Sequence, residues 1–237
     1  MDKTSSHRCV VTGANRGLGL EFATQLLARG ARVVASCRRP AEATALQALA
    51  TANPGRLHVL ALAVDSETSR LAFARDVADL FEGLDLLVNN AGMLAPGEQF
   101  GELDAAVLQQ TLATNTVAPL MLVQALAPLL QRGVRPRVLN ISSALGSIAR
   151  ADAFYTPTYR ISKAGLNMAG VMMAHALNPL GVGVITASPG WVKTDMGGGS
   201  APLMPAESVA SLLRLVDEVP GVPAGPFLDR TGEPLPW

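Results

Sequence analysis

The sequence has little charge, and neither sign is in excess. Of its 237 residues 16% are charged, and 19 basic side chains balance 19 acidic ones. A chain without net charge has no broad field to attract a nucleic acid or an anionic membrane, so we expect neither partner and only local anion sites. With 49% hydrophobic residues against so few charges, the composition also excludes global disorder.

Cysteine and histidine are too few and too scattered to form a disulfide framework or a metal site. Cys9 and Cys37 both lie in apolar, strand-like segments. His7, His58 and His175 are far apart and show no ligand spacing, so we expect no metal. This use of cysteine is typical of a reducing compartment.

Long hydrophobic runs are also lacking. The longest apolar stretch, residues 117–130, is interrupted by Gln124, Pro119 and Pro128, which leaves it short of the roughly 20 apolar residues that span a bilayer. Residues 1–8 are polar and lead directly into a strand-like segment, so we expect no signal peptide. These features predict a soluble cytoplasmic protein.

The sequence does contain a strict alternation of strand and helix patterns. Most strand candidates are continuous apolar runs, as in strands buried on both faces of a parallel sheet. The alternation predicts βαβ units and hence an α/β fold: one doubly wound, Rossmann-type domain over residues 1–237, with about seven parallel strands and helices on both faces. We expect its dinucleotide-binding half at about 1–135 and its catalytic and substrate-loop half at about 136–237. The predicted strands are 9–12, 32–36, 57–64, 84–88, 137–142, 183–188 and 226–228, and the predicted helices 17–29, 41–52, 67–82, 104–131, 159–178 and 206–218.

A glycine-rich turn joins the first strand to the first helix. Glycines allow positive φ and close approach of the backbone to a ligand, and a helix start offers unpaired N–H groups to a phosphate. We predict that this turn binds the pyrophosphate of a dinucleotide; the alternative is a turn with a purely conformational role. The expected contacts are Gly13, Asn15, Arg16, Gly17, Leu18 and Gly19.

The end of the second strand favours NADP(H). An acidic residue there would bond the ribose 2′-hydroxyl and repel a 2′-phosphate, but no carboxylate occurs before Glu42. Arg38, together with Arg16 in the glycine turn, can donate to a phosphate instead. Arg39 fits a solvated surface position equally well.

Tyr159 and Lys163 lie four residues apart near the start of a predicted helix, which places the phenol and the ammonium on one face. A cation about 5 Å from a phenol lowers its pKa by roughly two units from about 10. We therefore predict that Tyr159 acts as a general acid–base near neutral pH. Tyr155 is the rival phenol, about two turns from Lys163 if the helix reaches it.

Two further polar groups are candidates for the catalytic site. Ser142 and Ser143 end the fifth strand, where a hydroxyl can hold a substrate carbonyl, and adjacent residues of a strand point to opposite sides. Pro119 cannot donate to the main-chain oxygen of Asn115, so we expect a kinked helix with that oxygen free to bind a water. A helix that merely adjusts to its core is an equal alternative.

Together these motifs resemble the short-chain dehydrogenase/reductase family, and within it the branch of C-factor and sniffer-like carbonyl reductases. The resemblance spans nearly the whole chain. It is carried by Thr12–Gly19, Asn89-Asn90-Ala91-Gly92, Asn115, Ser143, Tyr159 with Lys163, and Pro189-Gly190 with Thr194.

The resemblance implies roles for individual residues. Tyr159 would be the acid–base, Lys163 would bind the nicotinamide ribose, and Ser143 rather than Ser142 would orient the carbonyl. Asn115 would hold a relay water. The remaining implied cofactor contacts are Asn89, Ala91 and Gly92 at the adenine ribose, and Pro189, Gly190, Val192 and Thr194 near the carboxamide and pyrophosphate. The family also implies a homo-oligomer, a dimer or tetramer formed through the helices near 104–131 and 159–178.

Two features depart from the family's pattern. After the third strand the family usually has Asp-Val, whose Asp binds the adenine amino group; the aligned residues here are Ala63-Val64, followed by Asp65, so only the Val64 backbone carries over. The segment between Ser143 and Tyr159 is longer than the family's common spacing. We expect its loop, with Arg150, Asp152, Phe154 and Tyr155, to bulge over the substrate pocket.

The sequence thus predicts a reductase that transfers hydride from NADPH to a ketone or aldehyde. Gly197–Gly199 are candidate hinges of a lid, with a flexible surface loop as an equal alternative. If the lid closes, Met196, Leu203 and Met204 would make the pocket apolar. One alternative is a dinucleotide-binding signalling protein of C-factor type with little or no turnover. Another is an NAD-dependent alcohol oxidation, which requires tighter binding of NAD than of NADP.

Overall fold

A computed structural model describes residues 7–218 and 225–237. The first six residues of the polar N-terminus, on which the absence of a signal peptide was predicted, lie outside the described residues. So do residues 219–224, which precede the predicted last strand at 226–228.

The strands form one parallel seven-stranded sheet in the order β3-β2-β1-β4-β5-β6-β7. Helices cover both of its faces, which confirms the predicted fold class. From β1 the sheet grows first to one side, through β2 and β3, and then to the other side, through β4 to β7. Ligands of doubly wound sheets bind beside such a switch in strand order, at the carboxyl ends of the strands. The strands are β1 Arg8–Thr12, β2 Arg32–Cys37, β3 Leu57–Ala61, β4 Leu86–Asn89, β5 Arg137–Ile141, β6 Gly183–Ser188 and β7 Phe227–Asp229.

The helices divide between the two faces and bury one apolar cluster on each. One cluster joins the sheet to α1, α2 and α7, and the other joins it to α3, α5 and α6. Alternate residues of a strand serve different clusters: Val11 belongs to the first and Val10 to the second. The helices are α1 Gly17–Ala28, α2 Thr44–Ala52, α3 Glu67–Leu80, α4 Ala105–Leu112, α5 Ala118–Leu130, α6 Pro157–Leu177 and α7 Pro205–Glu218.

The third strand is shorter than predicted. It ends at Ala61 rather than at residue 64, and the last ladder bond beyond it runs from Leu62 N–H to the carbonyl of Cys37. The chain then turns, since Ser66 N–H donates to the carbonyl of Ala63 and the Ser66 side chain caps α3. This turn carries residues 62–65 to the carboxyl edge of the sheet.

The helical run between β4 and β5 is continuous and contains one π-helical turn, Ala113–Val117. Pro119 stands at the first turn of α5, where a missing N–H is tolerated because the π turn has already disrupted the regular ladder. Neither Pro119 nor Pro128 ends the helix, so the expectation that this segment is too short to span a bilayer is wrong as far as length is concerned. By length and composition the whole run, Ala105–Leu130, could cross a membrane, a property that core helices of soluble proteins share. Leu122, Leu126 and Leu130 on its inner face are buried in the core.

A buried ion pair fastens the opposite, amino-terminal edge of the sheet. The Asp85 carboxylate accepts hydrogen bonds from Arg8 Nη2 at 2.8 Å, Arg8 Nε at 3.0 Å and the N–H of Val134 at 2.6 Å. Its side chain is only 5% exposed. Burial raises the pKa of Asp85, but the hydrogen bonds from Arg8 and Val134 outweigh it and hold the pKa below its usual value.

Candidate active site

A cavity of about 730 Å³ opens at the carboxyl edge of the sheet, around the point between β1 and β4. Its volume lies in the range of small-molecule sites. Its lining brings together the glycine turn, the ends of β2 and β3, the residues after β4 and the start of α6. Of the predicted site residues, it includes Gly13, Asn15, Arg16, Gly17, Leu18, Arg38, Val64, Ala91, Gly92, Tyr159, Lys163, Pro189 and Thr194.

The glycine turn has the geometry of a phosphate cradle. Gly13 and Gly17 have φ of +64° and +54°, and a Cβ on Gly13 would come within 2.9 Å of the Ala91 Cα. Helix α1 begins at Gly17 without a side-chain cap, so its first N–H groups are available to a ligand. The turn therefore suits an anionic group of the size of a pyrophosphate.

Gly19 has a packing role in this structure. It does not line the cavity, and a Cβ there would collide with the carbonyl of Gly13 and the side chain of Asn90. Asn90 Nδ2 in turn donates to the carbonyl of Thr12 at 2.8 Å and fixes the turn against β4. Asn90 also lines the cavity; it belongs to the motif that follows β4 but was not among the predicted cofactor contacts.

The charged side chains of the cavity are mostly paired. Arg39 Nη1 lies 3.0 Å from Glu42 Oε2, and Arg16 Nη1 donates to Asp195 Oδ2. Among the residues that the structure describes, Arg38 lines the cavity without an ion-pair partner. Sequence reasoning missed Asp195, because a pairing between the glycine turn and the segment after β6 leaves no local signal.

The cavity ends on one side beneath the turn that follows β3. Val64 and Asp65 line it there, and Gln110 and Thr114 line it from α4 and the π turn. Gln110 Nε2 donates to Asp65 Oδ2 at 2.7 Å. Neither Gln110 nor Thr114 was predicted, although their spacing of four residues on a predicted helix places them on one face.

Tyr159 and Lys163 enter the cavity from the start of α6. The helix begins at Pro157, two residues earlier than predicted, and Tyr155 lies outside it and is exposed. Lys163 Nζ lies 5.5 Å from the centre of the Tyr159 ring and donates to the carbonyl of Ile141 at 2.8 Å. The phenol and the ammonium therefore meet at the end of β5.

The two serines after β5 have different partners. The Ser143 side chain hydrogen-bonds the Tyr159 phenol. Ser142 Oγ instead donates to Asn167 Oδ1 at 2.6 Å inside the protein. The structure thus brings Ser143, Tyr159 and Lys163 together, with the Ser142 hydroxyl directed to α6.

Burial dominates the ionisation of both α6 side chains. It raises the pKa of Tyr159 to about 12, against the lowering effect of the Ser143 hydrogen bond. It lowers the pKa of Lys163 to about 8. The prediction that Lys163 brings the Tyr159 pKa down by about two units is wrong for this structure, because withdrawal from water disfavours the phenolate more than its neighbours favour it. Tyr159 is consequently protonated at neutral pH, the state in which a phenol can donate.

Asn115 lies behind the cavity wall, within the π turn. Its side chain accepts from Met93 N–H at 2.8 Å and donates to Met93 O at 2.8 Å and to Ser162 Oγ at 2.9 Å. These bonds tie the π turn to the segment after β4 and to α6. A water on its main-chain oxygen stays a prediction.

Three of the predicted cofactor contacts besides Gly19 do not line the cavity. Asn89 is buried within the sheet, where its Nδ2 donates to Asn140 Oδ1 at 2.9 Å. Gly190 and Val192 lie in the segment after β6, and Val192 is buried and bridged to Leu203. The sequence does not reveal these placements, because each depends on how the residue packs against a neighbouring strand or loop.

The segment after β6 is internally hydrogen-bonded. Thr194 Oγ1 accepts from Gly197 N–H at 3.1 Å, and Trp191 Nε1 donates to the carbonyl of Gly197 at 2.7 Å. Thr194 and Met196 line the cavity, Leu203 is buried and Met204 is exposed. A lid hinged at Gly197–Gly199 stays a prediction.

The long loop before α6 carries exposed side chains, including Arg150, Asp152, Phe154 and Tyr155. Phe154 packs edge-on against Phe100 with ring centres 5.5 Å apart, which joins this loop to the one after β4. No group of three or more His, Cys, Asp or Glu side chains that could hold a metal ion occurs within residues 7–218 and 225–237.

The family model for short chain dehydrogenases matches residues 7–202. The chain belongs to this family. Its resemblance to the C-factor and carbonyl reductase branch is also confirmed. C-signal of Myxococcus xanthus is 38% identical over 154 residues, which cover 65% of this chain and 93% of that protein.

Two solved structures show how closely the fold agrees within the family. The carbonyl reductase Sniffer of D. melanogaster is 33% identical and superimposes with a TM-score of 0.93, covering 98% of this chain and 100% of that one. The NADPH-bound carbonyl reductase from chicken fatty liver is 34% identical with a TM-score of 0.93, covering 98% and 99%.

Proposed function

We propose that this protein is an NADPH-dependent carbonyl reductase that reduces a ketone or an aldehyde to an alcohol. The observation that carries the proposal is that Tyr159, whose phenol is hydrogen-bonded by Ser143, lines together with Lys163 the cavity that also contains the glycine turn. A proton donor and a dinucleotide cradle in one cavity are what a hydride transfer to a carbonyl requires. The names of the two carbonyl reductases above support this choice.

The residues present fit the cofactor. The turn from Gly13 to Gly19 and the start of α1 would hold the pyrophosphate, and Lys163 would bind the ribose near the nicotinamide. When bound, NADPH supplies the hydride that reaches the carbonyl carbon. Ser143 Oγ donates a hydrogen bond to the carbonyl oxygen and so stabilises the negative charge that develops there.

Tyr159 completes the reaction by donating its phenolic proton to that oxygen. Hydride on carbon and a proton on oxygen yield the alcohol, with the phenolate left behind. Lys163, with a pKa of about 8, is mostly protonated at pH 7, and its charge favours the phenolate as it forms. Asn115 fixes the start of α6 through Ser162, and a water on its main-chain oxygen would return a proton to Tyr159.

The 2′-phosphate of the cofactor would bind Arg38. Because Arg16 and Arg39 are each paired with a carboxylate, Arg38 is the cation that can take up a phosphate without losing another partner. We expect Arg38→Ala to weaken NADPH binding by about tenfold or more, as for a charge-assisted hydrogen bond, and to leave NADH binding nearly unchanged.

Arg39→Ala is the matched control for this substitution, since it removes the same charge from the neighbouring position. Titration of each variant with NADPH and NADH gives the dissociation constants. Equal losses for both cofactors, or an equal effect of Arg39→Ala, would contradict the role of Arg38.

The substrate would be an apolar carbonyl compound, because Met93, Ile141 and Met196 line the cavity near its catalytic residues. Mixing the protein with NADPH and a panel of hydrophobic ketones and aldehydes should give a loss of absorbance at about 340 nm, the band of reduced nicotinamide. If NADPH binds but no carbonyl of a broad panel consumes it, the reductase function is wrong.

The homo-oligomer and the cytoplasmic location stay predictions. Exposed apolar side chains on the expected interface helices support an oligomer: Val117 precedes α5, and Ile161, Met168 and Met172 lie on α6. Burying such side chains against a second copy would remove apolar surface from water.

A dinucleotide-binding signalling protein is the second candidate, and the relative named C-signal favours it. It would use the same cavity and the glycine turn, but it needs no proton donor. A biological activity that depends on Gly17 but survives Tyr159→Phe would separate it from the reductase.

A further inference from the structure

Three buried side chains lie one helical turn apart on one face of α6, and the proposed reaction uses only two of them. Tyr159, Lys163 and Asn167 are each four residues from the next, so they point to the same side of the helix. Tyr159 is hydrogen-bonded by Ser143, and Lys163 donates to the carbonyl of Ile141. Asn167, which is 3% exposed, does not line the cavity and takes no part in the transfer of hydride or proton.

The Asn167 amide bonds the chain on both sides of Ser143. Its Oδ1 accepts from Ser142 Oγ at 2.6 Å, and its Nδ2 donates to the carbonyl of Gly146 at 3.2 Å. Ser142 and Gly146 are buried as well. The amide has one favourable orientation, because turning it over would set its oxygen against the carbonyl of Gly146. Asn167 therefore ties both ends of the segment 142–146 to α6.

This segment determines where the Ser143 hydroxyl points. Ser143 precedes the short 3₁₀ turn Ala144–Gly146, and its Oγ accepts from Leu145 N–H at 3.2 Å. Gly146 lies so close to α6 that a Cβ there would come within 2.8 Å of the main-chain carbonyl carbon of Lys163. A displacement of the turn would therefore move the Ser143 hydroxyl, and catalytic groups must keep their productive geometry to within about 0.5 Å.

We propose that Asn167 is a positioning residue of the reductase: its amide holds residues 142 and 146 and thereby keeps the Ser143 hydroxyl directed at the substrate carbonyl. The proposal rests on the proposed function and adds to it the group that orients the donor to the carbonyl oxygen. Because Asn167 does not line the cavity, it acts on the reaction only through Ser143. Its effect on turnover must then depend on the presence of the Ser143 hydroxyl.

The test is a double-mutant cycle of Asn167→Leu with Ser143→Ala. Leucine has the branched shape of asparagine and makes no hydrogen bond with its side chain. We expect Asn167→Leu to lower kcat for an apolar ketone by about tenfold or more and to leave the dissociation constant of NADPH within about twofold. In a protein that already carries Ser143→Ala, Asn167→Leu should lower kcat by less than about a further twofold, because no hydroxyl is left to orient. Single turnovers at high protein concentration measure the low rates.

Asn140→Leu is the matched control for the loss of a buried amide. Asn140 is a buried asparagine of β5, and its side chain bonds Asn89 and Thr186 instead of the segment 142–146. Any effect of Asn140→Leu on kcat should be the same factor with and without the Ser143 hydroxyl.

A second variant keeps the test decisive if Asn167→Leu does not fold. Ser142→Ala removes one of the two bonds to Asn167 and adds no bulk. It should lower kcat by about threefold, and again only while the Ser143 hydroxyl is present.

Equal factors with and without the Ser143 hydroxyl would overturn the proposal, since they would show that Asn167 only stabilises the fold. That result would leave the reductase function intact. If the unsubstituted protein consumes no NADPH with any carbonyl compound of a broad panel, the reductase function itself is wrong and the positioning role falls with it.

Discussion

Replacing Tyr159 with Phe should lower kcat for carbonyl reduction by about 10³-fold or more and leave the dissociation constant of NADPH within about threefold. The substitution removes the phenolic proton that the carbonyl oxygen must receive and keeps the ring that fills the buried position at the start of α6. The measurement is steady-state turnover with an apolar ketone, together with a fluorescence titration of NADPH.

Tyr155→Phe is the control for this experiment. Tyr155 lies outside α6 and is exposed, so its hydroxyl should be dispensable for turnover. Full activity of Tyr159→Phe would exclude Tyr159 as the proton donor, and a comparable loss in Tyr155→Phe would reassign that role.

The second large effect concerns stability. Asp85→Asn should lower the free energy of unfolding by about 3 kcal/mol, because it leaves the guanidinium of Arg8 without its charged partner at a site where the carboxylate is almost completely buried. Urea unfolding at pH 7 gives this difference. The control is Asp217→Asn, which removes an exposed partner of Arg29 and should cost less than about 1 kcal/mol.

The Asp85→Asn variant also tests how the free energy of unfolding depends on pH. Because the folded protein holds the pKa of Asp85 below its usual value, the stabilisation is fully present above the unfolded pKa of about 3.9 and is lost as the pH falls through the lower, folded value. Between pH 7 and pH 3 the unfolding free energy of Asp85→Asn should therefore fall less steeply than that of the unsubstituted protein. Parallel curves would show that Asp85 does not titrate with folding.

The parts of the site that sequence predicted well are those in which chemistry depends on local spacing. Gly13 and Gly17 can adopt the positive φ of the turn without a steric cost, and the four-residue step from Tyr159 to Lys163 places both side chains on one helix face. The continuous apolar runs predicted the parallel sheet in the same way, because burial on both faces leaves no alternation.

The predictions that were wrong or incomplete concern features that depend on contacts between residues distant in the sequence. The pKa of Tyr159 is set by how deeply α6 packs against the sheet, and no spacing encodes that depth. The Asn89 side chain donates a hydrogen bond to Asn140 on the neighbouring strand, and Arg16 pairs with Asp195, which is distant in the sequence. The residue types of these contacts can be read from the sequence, but only the three-dimensional arrangement determines their partners.

The π turn has a consequence for how this chain can change. A π turn amounts to one extra residue inserted in an α-helix, which rotates everything beyond it by about 100°. Here that rotation lets Asn115 face Met93 and Ser162 while Leu122 and Leu126 still point into the core. Deleting one residue from 113–117 would restore a regular helix but turn either the asparagine or the apolar stripe to the wrong side. The number of residues in this part of the helical run therefore cannot change by even one. We expect the segment to tolerate point substitutions but not insertions or deletions.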